Sequence, residues 1–225
     1  KYNFYLSFLF CLICIFKNIQ INVNMFDVRG ILNMNYKTLK IATVGLMAAL
    51  AYVSFTFLQI KITTPGGTTS FHLGNTFCIL AALLLGGVSG GLAGAIGMGI
   101  GDLLDPVYIT YAPKTIILKM LIGIIAGIVA HRIFKINNCK SKSKLLIYVI
   151  VSAIAGMFFN VIGEPLFGYF YNSVILGAPE TAAATLASWN AITTSVNAII
   201  TVILSSIIYI IIRPRLIKSN ILKKR

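Results

Sequence analysis

Five ionisable residues stand within or beside the long apolar segments of this 225-residue chain: Asp102, Asp105, Lys114, Lys119 and Glu164. A charge inside a bilayer costs roughly 2.5–3.5 kcal/mol on insertion scales, so each is a candidate for ligand contact or ion pairing. Lys119 lies well inside one apolar segment, and Glu164 lies in another, between Asn160 and the helix-kinking Pro165. The sequence predicts that Lys119 pairs with Glu164 across a helix bundle. Ligand contact, a structural ion pair and a Lys119 that snorkels to the interface are all consistent with that placement.

A second set is polar but uncharged. Asn190, Thr193 and Asn197 recur at i, i+3 and i+7, one face of a helix. Such a stripe in an apolar helix faces protein or a cavity rather than lipid, although hydrogen bonding between helices accounts for it equally. Trp189, the single tryptophan, is either an anchor at the membrane interface or a ring on which a ligand stacks. Tyr108 and Tyr111 carry the same two readings.

Nothing in the chain suggests catalysis. HExxH and GxSxG are absent, and His72 and His131 fall on opposite faces of the membrane in the topology below. The chain is therefore expected not to be an enzyme and to need no cofactor and no metal. Cys11 and Cys14 form a CxxC inside an apolar run, with no histidine or second pair nearby; Cys78 reads as a core residue and Cys139 as a loop residue. The run GGVSGGLAGAIGMGIGD has no Gly-Lys-Ser/Thr after it, so it is not a phosphate loop. Its glycines at 87, 91, 94, 97 and 101 instead allow close helix approach, and Gly45 with Ala49 offers a similar face to a partner helix.

The elements that must hold these residues are membrane helices. Apolar residues make up 58% of the chain and Asp, Glu, Lys and Arg 11%, with a mean hydropathy of +0.90. That composition excludes an ordinary soluble domain and a disordered chain. Six apolar segments follow one another at about 39–60, 73–85, 91–104, 115–134, 145–169 and 189–212. The second and third are short for full spans and meet at an uncharged glycine turn, 86–91; they read as a hairpin that tilts or packs deep inside protein, with a single long re-entrant segment as the alternative. The net charge of +14 reads as membrane topology rather than nucleic-acid binding. With the N-terminus inside, thirteen basic residues fall on the inner side: Lys37, Lys40, Arg132, Lys135, Lys140, Lys142, Lys144, Arg213, Arg215, Lys218, Lys223, Lys224 and Arg225. The outer loops hold Lys61 and Lys114. The expected fold is an all-α integral membrane protein, a compact bundle of six transmembrane helices with both termini cytoplasmic. The outer loops, at about 61–72, 105–114 and 171–188, are rich in Thr, Tyr, Gly and Pro and form a polar-aromatic cup.

Residues 1–33 read differently. Tyr5 to Phe16 is too short to span a bilayer, and no membrane or core periodicity follows it. Met34, followed by NYKTLK and a strong apolar segment, looks like the start of a bacterial membrane protein. The segment before it is expected to be translated upstream sequence or a wrongly assigned start, the rival being an interfacial helix. Residues 34–225 form the single membrane domain, with 16 basic and 4 acidic residues.

The stretch from Phe71 to His131 carries a resemblance. FHLGNTFCILAALLLGGVSGG, LAGAIGMGIGDLL and YAPKTIILKMLIGIIAGIVAH resemble the substrate-binding S components of energy-coupling factor (ECF) vitamin transporters, in the riboflavin-type branch with its suspected pyridoxine and hydroxymethylpyrimidine carriers. The resemblance covers about 39–212. It implies a six-helix subunit of the bacterial plasma membrane that captures a small vitamin and joins a transmembrane coupling subunit and two cytoplasmic ATPases. It also implies that the first loop, 63–72, closes over the substrate. Carried onto this chain, the substrate contacts would be Thr68, His72, Tyr111, Lys114, Lys119, Asn160, Glu164, Trp189, Asn190, Thr193 and Asn197. The partner-interface motif matches Gly45 and Ala49, with Gly in place of the usual first Ala. The rival classes are an ion-coupled secondary transporter and a structural membrane subunit without a ligand.

Overall fold

Polar side chains in a membrane protein turn inward and apolar ones face lipid, and the long helices of this chain divide along that line. The computed structural model describes residues 36–218, so expectations for 1–33, including the Cys11–Cys14 pair, lie outside the described residues. Among the described residues the order is α1 (Tyr36–Phe57), β1 (Ile60–Thr64), β2 (Gly67–Phe71), α2 (Gly74–Leu85), α3 (Gly87–Leu104), α4 (Ala112–Ile128), α5 (Lys142–Phe170) and α6 (Glu180–Lys218). One π turn, Val129–Ile133, prolongs α4, and another, Tyr171–Ile175, prolongs α5. The elements from Lys40 onward form one compact unit.

Three expectations need correction. The first is the all-α fold: the first outer loop is a two-stranded antiparallel hairpin, paired from Ile60–Phe71 to Thr64–Gly67. β-branched Ile60, Ile62, Thr63, Thr64, Thr68 and Thr69 favour the extended chain, and Pro65-Gly66 is the two-residue turn between the strands. The second is the count of full spans. Among the described residues five helices are long and apolar enough to cross a membrane, by length and composition, and α2, at twelve residues, is not. Eleven of its twelve residues are buried, so its apolarity meets other helices instead of lipid. The third is the outer loop at 171–188. Helix α6 begins at Glu180, leaving only residues 176–179 between helical elements, and Trp189 lies inside the helix instead of at its end.

Glycine permits the tight core. Helices α2 and α3 join through Gly86 alone, whose φ of +99° suits a residue without Cβ. Along α3 the small residues Gly90, Gly91, Gly94, Gly97 and Gly101 are buried, while Val88, Leu92, Ile96 and Ile100 are exposed. A Cβ on Gly94 would sit 2.6 Å from Cys78 Sγ, and one on Gly91 would sit 2.6 Å from the Met120 carbonyl oxygen. Helices α2 and α4 therefore press against the bare backbone of α3. Such close packing is what holds membrane helices together where lipid is as apolar as leucine.

Helix α6 shows the inward-polar rule most fully. Its buried face includes Asn190, Thr193, Thr194, Asn197, Thr201, Ser205 and Ser206, against exposed Ile192, Val196, Ile199, Ile203, Ile207 and Ile211. Near its far end, Arg213 Nη2 donates to the Ile136 carbonyl at 2.9 Å and ties α6 to the loop after α4.

Candidate functional site

A cavity opens between the hairpin and the hairpin-side ends of the helices. β2 contributes Thr68, Thr69 and Ser70, followed by His72; α2 adds Asn75 and α3 adds Asp102. Tyr108 and Tyr111 come from the α3–α4 connection, and Lys114, Thr115 and Lys119 from α4. α5 supplies Asn160 and Glu164, and α6 supplies Leu186, Asn190, Thr193, Thr194 and Asn197. Phe55 of α1 completes the wall.

The hairpin is fastened over this space on two sides. Against α6, the Thr69 and Thr193 hydroxyls lie 2.8 Å apart. Asn197 Oδ1 accepts from the His72 N–H at 3.1 Å, and its Nδ2 donates to the Ser70 carbonyl at 3.1 Å. The hairpin tip rests on the first turns of α6, where a Cβ on Gly66 would strike the Ala182 backbone and lie 3.0 Å from the Leu186 nitrogen. Toward the α3–α4 connection, Lys61 Nζ donates to Asp105 Oδ2 at 2.5 Å and sits 5.1 Å from the Tyr108 ring centroid. Asp105 Oδ1 also accepts from the Val107 N–H at 3.0 Å. Partial burial raises the Asp105 carboxyl, but the Lys61 and Val107 hydrogen bonds outweigh it and hold the group below the usual carboxylate range. Burial pushes the Tyr108 hydroxyl up to about 12.

Inside the cavity the charges are arranged on α4 and α5. Lys114 is ion-paired with Glu164 and lies 5.4 Å from the Tyr111 ring centroid. Tyr111 is itself fixed by donating to Asn172 Oδ1 at 2.8 Å. Lys119 donates to Asn160 Oδ1 at 3.3 Å. The expected Lys119–Glu164 pair is therefore corrected: Glu164 takes the lysine at the start of α4, and Lys119, farther along the helix, takes the neutral amide one turn before Glu164. His72 packs edge-on against Phe55 with ring centroids 4.8 Å apart. Burial, with the Lys119 charge adding to it, pushes the His72 imidazole down to about 3, so it stays neutral.

The family described as ECF-type riboflavin transporter, S component, matches residues 35–214. The chain belongs to that family. ThiT from Listeria monocytogenes, a solved structure, has a similar fold, with a TM-score of 0.57 at 18% identity over 82% of this chain and 98% of that one. No curated protein matches the chain. The S component is thus the substrate-specific, vitamin-binding membrane subunit of an ECF transporter, a multi-pass protein of the bacterial plasma membrane.

The structure brings together most of the positions that the sequence singles out in this S component. Thr68, His72, Tyr111, Lys114, Lys119, Asn160, Glu164, Asn190, Thr193 and Asn197 all line the cavity. Trp189 does not; it is 39% exposed on the outside of α6, where an interface anchor would be. Asn197 lines the space but spends both ends of its amide on the hairpin backbone. The sequence does not single out Asn75 or Thr115; Thr69 and Ser70 enter only with the 63–72 loop, Thr194 stands outside the Asn190, Thr193, Asn197 stripe, and Asp102 is a charged candidate that is not among the implied substrate contacts. An asparagine amid the apolar run of α2 is the signal that marks Asn75. Gly45 and Ala49 are exposed on α1, and among the described residues nothing outside its own stretch of helix lies within 4 Å of a Cβ built on Gly45.

Proposed function

We propose that the cavity captures a small water-soluble vitamin or precursor at the outer face of the membrane, with the hairpin as its cover. The observation that carries this reading is the hairpin's fastening to α6 through Thr69, His72 and Asn197, directly over a buried wall of Lys, Glu, Asn and Thr side chains. Polar groups inside a membrane bundle are costly unless a ligand or partner satisfies them, and a ligand that mismatches them is rejected. Pyridoxine-, hydroxymethylpyrimidine- and riboflavin-like rings all suit such a wall.

The basic residues support the orientation. Arg132, Lys135, Lys140, Lys142, Lys144, Arg213 and Arg215 gather at the end of the bundle away from the hairpin. By the positive-inside rule that end is cytoplasmic, as are both termini. The chain does not hydrolyse ATP; a transmembrane coupling subunit and two cytoplasmic ATPases join it, with Gly45 and Ala49 on the face that meets the coupling subunit. Calorimetric titration of the detergent-purified protein with a vitamin panel tests the reading. Saturable binding of one vitamin, with close analogues rejected, is expected; a silent panel favours a structural subunit instead.

A further inference from the structure

The two lysines of the cavity are not equally satisfied. Lys114 has the Glu164 carboxylate and the face of Tyr111. Lys119 is 5% exposed, and among the described residues its ammonium has one hydrogen-bond partner, the neutral Oδ1 of Asn160 at 3.3 Å. Among the described residues no carboxylate lies within ion-pair distance of it: Glu164 is held by Lys114, and the other carboxylate lining the cavity, Asp102, makes no ion pair. An ammonium has three donors, and a buried one with a single neutral acceptor has lost far more hydration than it has recovered. Such a group in a membrane interior, lining an open cavity, is an incomplete half of a pair.

We propose that the ligand supplies the other half, a single negative charge that seats on Lys119. This rests on the vitamin-binding reading and narrows it to a ligand with one acidic group, either an ionisable ring hydroxyl or N–H or a carboxylate. A dianionic phosphate ester is disfavoured, because Glu164 and Asp102 line the same cavity and repel a second charge. The neutral wall of Asn190, Thr193 and Thr194 on α6 is left to read the uncharged edge of the ligand.

Matched pairs of compounds test this on the full chain in detergent. Pyridoxine is compared with its 3-O-methyl ether, riboflavin with N3-methylriboflavin, and nicotinate with nicotinamide; hydroxymethylpyrimidine, which has no acidic group, is the control. In the pair that binds, the ionisable member is expected to bind about thirtyfold or more tightly than its blocked partner, the cost of leaving a buried charge without its mate. Lys119→Met should erase that preference, and Lys119→Arg should keep it. The pair comparison on the unsubstituted protein holds whether or not the variants fold. Equal binding within the pair, a preference that survives Lys119→Met, or equally tight binding of pyridoxine 5′-phosphate would overturn the inference. Binding confined to hydroxymethylpyrimidine overturns it too but keeps the vitamin reading, whereas a panel with no binding removes both.

Discussion

The hydroxyls of Thr69 and Thr193 meet at 2.8 Å across 124 residues of chain, one on the hairpin and one on α6. Thr193 also donates to its own helix, with the Trp189 carbonyl oxygen at 3.1 Å, so it is held in place whether or not the hairpin is down. The contact therefore reports closure. Thr69→Val keeps the β-branched shape and removes the bond. A net hydrogen bond is worth about 0.5–1.5 kcal/mol, so ligand dissociation should speed up by roughly two- to twelvefold. Stopped-flow displacement would show it; an unchanged off-rate would mean that the hairpin does not gate exit.

Asn197 is expected to matter for the cover more than for ligand choice. Asn197→Leu strands the Ser70 carbonyl and the His72 N–H, at about 1–3 kcal/mol for each buried group left unpaired. Hydrogen exchange at the amides of β2 should rise in the ligand-free protein, and affinity should fall by a similar factor for every ligand that binds. A change in the rank order of ligands would instead place Asn197 in direct contact with them.

The Lys61–Asp105 bridge is partly exposed, with the lysine side chain at 37%, so its worth is that of a surface pair, about 0.2–1 kcal/mol. The Asp105 carboxyl is held below its ordinary value in the folded protein. Its contribution is therefore fully present above the unfolded carboxylate pKa and is lost only as pH falls through the lower folded value. Dissociation of ligand should be insensitive to Asp105 between pH 5 and 8. Asp105→Asn should raise the off-rate by up to about fivefold, less in high salt.

Glu164 and Lys114 behave as a unit. Glu164→Gln leaves the buried Lys114 without its partner, a loss of about 3–5 kcal/mol in comparable pairs. The double replacement Lys114→Met with Glu164→Leu should recover much of the melting temperature, because neither charge then remains. If the double variant is as unstable as the single one, the pair is not what sets the cost.

Gly45→Leu separates folding from assembly. Among the described residues nothing outside its own stretch of helix lies within 4 Å of a Cβ at Gly45, so a larger side chain has room in the isolated subunit. Ligand affinity should be unchanged while co-purification with the coupling subunit is lost. Loss of both would point to misfolding.

Much of this was legible in the residues, for physical reasons that also explain the rest. The stripe Asn190, Thr193, Asn197 was visible because helical periodicity survives in an apolar background. Lys119 and Glu164 stood out because charges are rare there, but which lysine meets Glu164 depends on how far α4 slides along α5, and spacing within one helix does not set that. The hairpin was hidden because its strands are short and its threonines read equally as loop. Asn75 was hidden because α2 has no polar face: it is surrounded by protein, so no periodicity separates inside from outside. Trp189 drew notice as the only tryptophan, yet its angular position on α6 turns it away from the cavity.

The burial of α2 bears on how the chain enters the membrane. Twelve residues make a helix of about 18 Å, against a hydrocarbon core of about 30 Å. On leaving the ribosome, α2 is too short to lodge in lipid as an independent stop, and Gly86 couples it at once to α3. The insertion machinery therefore has to accept the two together as one hairpin. The seat of α2 is finished only when α6, which follows it by four helices in the described chain, closes against it, so truncation within α6 should leave an inserted but protease-sensitive chain.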